Sequence, residues 1–179
     1  MQDTLPIHFA PLQGYTEAIY RNAHDAFFGG VDTYYTPFVR LEKGNFRRRD
    51  VRGIEPENNG VPHLIPQLIA SSAEKAEVIL SLFIEKGYQE VDINLGCPFP
   101  LLAKRHNGSG ILPYPEEVKA LLSIVTRYPQ ISFSVKMRLG WEQPDECLAL
   151  APILNDLPLR QITMPVSYTH LTLPTICSV

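Results

Sequence analysis

Apolar and polar residues alternate in VDINL at 91–95 and in FSVKM at 133–137. A β-strand turns successive side chains to opposite faces. Val91, Ile93 and Leu95 therefore share one face, and Asp92 and Asn94 the other. Phe133, Val135 and Met137 likewise stand opposite Ser134, Lys136 and, one step on, Arg138. Similar short runs predict strands near 7–10, 33–36, 64–69, 90–95, 131–137 and 160–163. Between them the apolar period lengthens to that of a helix. TEAIYRNAHDAFF opens at Thr16 as its N-cap, and SSAEKAEVILSLFIEKG runs from a Ser71–Glu74 capping box to a stop at Gly87. PEEVKALLSIVTRY places Pro115 in its first turn with acidic residues behind it, and PDECLALAPILN is a weaker fourth pattern.

Strands alternating with helices predict a parallel α/β fold. The central strands of a doubly wound sheet are apolar on both faces. Here one face is polar, which suits a barrel whose lumen holds polar groups and whose outside is covered by helices. The six strands start about 30 residues apart. Eight such units need roughly 250 residues, so the expectation is an incomplete (β/α)8 TIM barrel over residues 1–165. The last stretch, VSYTHLTLPTICSV at 166–179, has no Lys, Arg, Asp or Glu and fits no further strand–helix unit. It looks like translated library-adapter sequence and is expected to be a non-native tail.

Composition narrows the class. The chain has 179 residues, 45% hydrophobic and 20% charged, and contains no apolar run of membrane-spanning length. Its first residues, MQDTLPIHFAPLQG, lack the basic and apolar regions of a signal peptide. Cys97, Cys147 and Cys177 form no CxxC pair, so neither a zinc site nor a disulfide framework is expected, and a reducing cytoplasm fits. A net charge of -3 argues against a generic nucleic-acid coat. Residues 40–52 are nonetheless basic, with Arg40, Lys43, Arg47, Arg48, Arg49 and Arg52 against Glu42 and Asp50. Such a run is either a solvated face or a contact for a phosphate backbone.

Parallel barrels place their chemistry at the C-terminal ends of the strands. There this chain carries Pro11, Leu12, Gln13 and Gly14 after the first strand, Gln67 in the third, Asn94 and Cys97 after the fourth, and Lys136 and Arg138 on the fifth. Cys97 has three readings: nucleophile, proton donor or packing. A nucleophile needs a base, and His106 on the same loop forms no evident pair with it. Lys136 on an inward face must reach water or an anion, and reduced FMN carries such an anion on its ring. Gly108-Ser109-Gly110 could bind phosphate through its amides, but without a nucleotide-binding context a flexible hinge is the better expectation. His8, His24, His63, His106 and His170 are scattered, and no metal cluster is expected.

At these residues the chain resembles the tRNA-dihydrouridine synthases, FMN-dependent enzymes on a (β/α)8 barrel. The resemblance rests on APLQGYTE at 10–17, PQL at 66–68, VDINLGCPFPLLAKRHNGSGIL at 91–112 and VKMRLGW at 135–141, and covers roughly residues 5–164. It implies NADPH-dependent reduction of a tRNA uridine, with a hydride passing from FMN to C6 and a proton from Cys97 to C5. Pro11, Leu12, Gln13, Gln67 and Lys136 would hold the flavin, and Asn94 and Arg138 would face the substrate. The uridine must leave the RNA stack to reach the flavin, and stretch 40–52 becomes an RNA-backbone contact. The family pattern would continue past Thr163 into a histidine motif, two further barrel units and a helical tRNA-binding domain. Here Met164-Pro165 and the tail follow, and His170 does not sit in that motif, so a fragment of little activity is expected. The alternatives are a dihydroorotate dehydrogenase-like flavin enzyme and a non-enzymatic RNA-binding module.

Overall fold

All six predicted strands form in the computed structural model, which describes residues 5–165. Stretch 166–179, with His170 and Cys177, lies outside the described residues. In chain order the strands are β1 (His8–Phe9), β2 (Thr33–Tyr35), a hairpin of β3 (Leu41–Glu42) and β4 (Asn45–Phe46), then β5 (Leu64–Ile65), β6 (Gln67–Leu68), β7 (Glu90–Leu95), β8 (Ser132–Met137) and β9 (Leu159–Thr163). β1, β2 and β5 pair in parallel, as do β6, β7, β8 and β9. With the antiparallel β3–β4 hairpin set aside, the parallel strands follow one another in chain order, the order of an incomplete (β/α)8 barrel.

Pro66 splits the predicted strand 64–69 into β5 and β6, because proline has no N–H to give a ladder. β5 pairs with β2, and β6 with β7. Val39 bridges to Leu68 across the break. The β3–β4 hairpin falls inside the basic stretch, where no strand was expected. Its turn residues Lys43 and Gly44 both have positive φ, 50° and 79°, as a type I′ turn requires.

The helices are α1 (Ala18–Phe27), α2 (Arg48–Ile54), α3 (Ala73–Glu85), α4 (Pro100–Ala103), α5 (Pro115–Leu122), α6 (Ile124–Arg127) and α7 (Glu146–Asn155). Two starts differ from expectation. Glu17, not Thr16, precedes α1; the Thr16 hydroxyl accepts from Leu12 N–H at 2.8 Å and closes the β1–α1 loop instead. Ser72, not Ser71, caps α3, because its hydroxyl is in phase with the Lys75 amide, while Ser71 takes the Lys75 ammonium at 2.8 Å. The α3 stop is as expected. Gly87 adopts φ 85°, its amide reaches Ile84 O, and Tyr88 N–H reaches Phe83 O at 3.0 Å, the Schellman pattern.

The core lies between the outer strand faces and these helices. Val91, Ile93, Leu95, Phe133, Val135 and Met137 are fully buried under Ala76, Ile79, Leu80 and Phe83 of α3, Val118, Leu121 and Leu122 of α5, and Leu150 of α7. Each such large side chain stabilises the fold by about 1.5–3 kcal/mol. With the apolar face committed outward, Asp92, Asn94, Ser134 and Lys136 face the lumen.

Candidate active site

The Cys97 turn is built by two side chains from different elements. Asn94, at the end of β7, accepts through Oδ1 from the amides of Gly96 at 3.0 Å and Cys97 at 2.9 Å. This Asx turn bends the chain out of the strand. From the far side, the Ser109 amide and hydroxyl both donate to Cys97 O at 3.0 Å. Gly108, Ser109 and Gly110 are all buried in a 3-10 turn. A Cβ at Gly108, where φ is 60°, would lie 2.6 Å from Cys97 O, and one at Gly110 would collide with the Ala103 backbone. The triplet is therefore neither a phosphate loop nor a hinge, but the packed buttress of the cysteine turn.

The Cys97 side chain is partly buried against Phe38, Ile69 and Leu102. Burial pushes its thiol pKa up; a bond from the Phe99 backbone and the charges of Arg138, Arg40 and Lys136 only partly oppose this. His106 gives no base. It stacks on Tyr114 with ring centroids 4.2 Å apart and meets Glu117 at 2.6 Å. A protonated thiol with no partner base can give a proton, but it is a poor nucleophile.

Behind the turn, the inward faces of β6, β7 and β8 join. Gln67 lies level with Asp92, and Asp92 with Ser134; Asn94 lies level with Lys136. Gln67 Nε2 donates to Asp92 Oδ2 at 2.6 Å, Ser134 Oγ donates to Asp92 Oδ1 at 2.6 Å, and Asn94 Nδ2 donates to Gln67 Oε1 at 2.7 Å. Burial raises the Asp92 pKa, opposed by bonds from Ser134 and Gln67 and by Lys136 and Arg160. Burial lowers the Lys136 pKa; Asp92 opposes the shift and Arg138 adds to it. Lys136 makes no ion pair within 4 Å among the described residues.

Pro11 and Lys136 meet in one cavity with His8, Ala10, Tyr35, Asp92, Gln161 and Thr163. The cavity is about 100 Å³, room for one edge of a ring system. Leu12 is half exposed outside it. Both amide atoms of Gln13 are buried without a hydrogen-bond partner. Arg138 follows β8, partly buried. The Gln13 amide offers one unpartnered donor and one unpartnered acceptor, and Lys136 a partly buried ammonium; a ring with carbonyl, N–H and anionic edges can use all three, so these residues fit a flavin. Ser134, Tyr35, His8, Gln161 and Thr163 belong to no motif, and Asp92 is marked only by the alternation of VDINL; the alternation of RQIT at 160–163, which puts Gln161 and Thr163 on one face, is the local signal that could find those two.

On the other side of Cys97, Ile69 and Leu102 also line a groove of about 450 Å³ with Arg40, Lys43, Lys75, Arg105 and Glu42. Within stretch 40–52, Arg40 and Arg47 approach Glu42, Arg47 and Arg49 approach Asp50, and Arg49 approaches Glu17. Lys43, Arg48 and Arg52 form no ion pair among the described residues. No helix among the described residues is long and apolar enough to cross a membrane. No three His, Cys, Asp or Glu side chains among them are placed to hold a metal.

The sequence model of the family described as Dihydrouridine synthase (Dus) matches residues 8–164. Similar proteins include tRNA-dihydrouridine synthase B of Klebsiella pneumoniae, 28% identical over 99 residues, which are 55% of this chain and 31% of that protein. Probable tRNA-dihydrouridine synthase 1 of Synechocystis sp. is 27% identical over 162 residues, 87% of this chain and 43% of that protein. The tRNA-dihydrouridine(16) synthase of Haemophilus ducreyi is 27% identical over 175 residues, 88% of this chain and 51% of that protein. The chain thus spans about half or less of these relatives.

Proposed function

Because the chain belongs to the dihydrouridine synthase family, we propose that it is part of an oxidoreductase that reduces a uridine of tRNA to 5,6-dihydrouridine, with FMN as cofactor and NADPH as reductant. When bound, the flavin supplies the hydride that C6 of the uracil ring receives. Cys97 gives C5 its proton. Asn94 and Arg138 face the base. Pro11, Leu12, Gln13, Gln67 and Lys136 hold the flavin, and the Lys136 ammonium offsets negative charge on its ring. The groove beside Cys97, with Lys43 and Arg105 on its walls, takes the RNA backbone.

One observation carries this reading above the others. Burial favours the protonated Cys97 thiol, no histidine or carboxylate among the described residues bonds to it, and its turn after β7 is fixed from both sides. That is the state an acid requires and the wrong one for a nucleophile.

The test is tritium release from C5 of labelled uracil in tRNA by the full-length protein, with the flavin absorption spectrum read alongside. Cys97→Ala should keep the flavin spectrum and lose about 10²–10⁴-fold in turnover, the usual worth of a positioned acid. Unchanged turnover removes Cys97 as the acid. A protein with neither flavin colour nor tritium release removes the whole reading.

A further inference from the structure

The hydrogen bonds across β6, β7 and β8 have a direction, and both ends of the chain of bonds demand the same one. The backbone amides of Gly96 and Cys97 can only donate, and both point at Asn94 Oδ1. An amide side chain that uses its oxygen there must turn its nitrogen away. That nitrogen meets Gln67 Oε1 at 2.7 Å. Gln67 must in turn present Nε2 on its far side, where Asp92 Oδ2 accepts it at 2.6 Å. A carboxylate only accepts. The second Asp92 oxygen is taken by the Ser134 hydroxyl at 2.6 Å.

All four groups are nearly shut off from bulk solvent. Gln67 is 1% exposed, Asp92 and Ser134 2%, and Asn94 8%. Turning any one amide over sets N–H against N–H or oxygen against oxygen, and an unmatched buried polar group costs more than the bond it replaces is worth. We propose that Asp92 is a positioning residue for Cys97: through Gln67 and Asn94 it sets the orientation of the turn that carries the thiol, without touching it. The same relay occupies one Nε2 proton of Gln67 and bonds its Oε1, so it also fixes which way that amide faces in the lumen. This holds whatever ring lies there, because it concerns the turn and not the reaction.

Two readouts report the turn directly: hydrogen exchange of the Gly96 and Cys97 amides, and the alkylation rate of Cys97 by iodoacetamide, followed on its peptide by mass spectrometry. Both are read well below each variant's melting temperature. Asp92→Leu keeps the bulk and removes the acceptor. Both rates should rise about tenfold as the Asn94 bonds loosen. Asp92→Asn retains an oxygen for Gln67 while the Ser134 hydroxyl becomes the acceptor, so both rates should stay within about twofold of the parent. Ser134→Ala is the control. It removes a bond from Asp92 but leaves the relay toward Cys97 whole, so it should lower the melting temperature without moving either rate. Should Asp92→Leu fail to fold, Gln67→Met cuts the relay one step nearer the thiol and must give the same rise. The proposal is overturned if Asp92→Leu, or Gln67→Met in its place, lowers stability and leaves both rates at the parent value. It is overturned equally if Ser134→Ala raises them as much.

Discussion

The β6–β9 sheet and the β1–β2–β5 sheet meet at Pro66 and the Val39–Leu68 bridge, yet they hold their side chains by different means. In the first, β7 and β8 run six residues each, their outer faces fully covered by α3, α5 and α7, their inner faces closed into hydrogen bonds. In the second, the strands are two or three residues long. Above them α1 leaves Ile19 80% and Phe27 84% exposed. It is tied down by polar and aromatic contacts instead. Arg21, fully buried, donates to Thr16 O at 2.6 Å, Gly53 O at 2.7 Å and Asn59 Oδ1 at 2.6 Å. Phe9, Tyr20, His24 and Tyr34 form an aromatic cluster beside it. The difference assigns the tasks. The long paired strands β7 and β8 fix the spacing of Asn94 and Lys136, with Gln67 held beside them on β6 and Cys97 on the turn after β7, while the β1 side contributes the Gln13 amide from a loop.

If burial governs the first sheet, Phe83→Ala should be the most damaging change, at about 3–5 kcal/mol in chemical denaturation. If specific bonds govern the second, Arg21→Leu should cost about 3 kcal/mol there, because three acceptors lose their donor. Burial pulls the Arg21 guanidinium down to about 10, a sign that those three bonds offset a real desolvation.

Tyr88 probes the joint between the two regions, since its hydroxyl donates to Ile54 O at 2.7 Å. Burial pushes its pKa up to about 12, with Arg21 opposing and Glu55 adding to the shift. The unfolded phenol ionises near its ordinary value of 10.0. Between these values the folded state keeps a proton that the unfolded state releases, so stability falls as pH rises through that window. Tyr88→Phe should cost about 1 kcal/mol at neutral pH and remove Tyr88's contribution to that slope. Phe27→Ser, on the exposed side of α1, should stay within about 0.5 kcal/mol. A larger loss would mean that α1 is packed more tightly than its exposure implies.

The sequence showed the barrel and its polar lumen because period-2 alternation is a local signal. Asp92, Asn94 and Lys136 could be placed inward from five or six consecutive residues. What it could not show depends on partners far along the chain. Ser134 finds Asp92 42 residues away, and Asn94 finds Gln67 27 away. No local pattern gives the register that makes those contacts, nor the direction of the bonds. The break at Pro66 and the Lys43-Gly44 hairpin did have local signals, a proline within a strand and a two-residue turn with glycine, but the first was absorbed into one strand and the second into a charge count. At α3 two neighbouring hydroxyls, Ser71 and Ser72, compete for the cap and the backbone decides between them, whereas at α1 the Thr16 hydroxyl is taken by the Leu12 amide and Glu17 precedes the helix without a side-chain cap.

The packing of Gly108 and Gly110 has a consequence for anyone mapping this protein by random mutagenesis. In a selection for activity, both positions should tolerate nothing larger than hydrogen and score alongside Cys97 itself. Read as a heat map, Gly-Cys-Pro and Gly-Ser-Gly would pass for two sites with two purposes. They are the two halves of a single joint, and the second half does its share by having no side chain to get in the way.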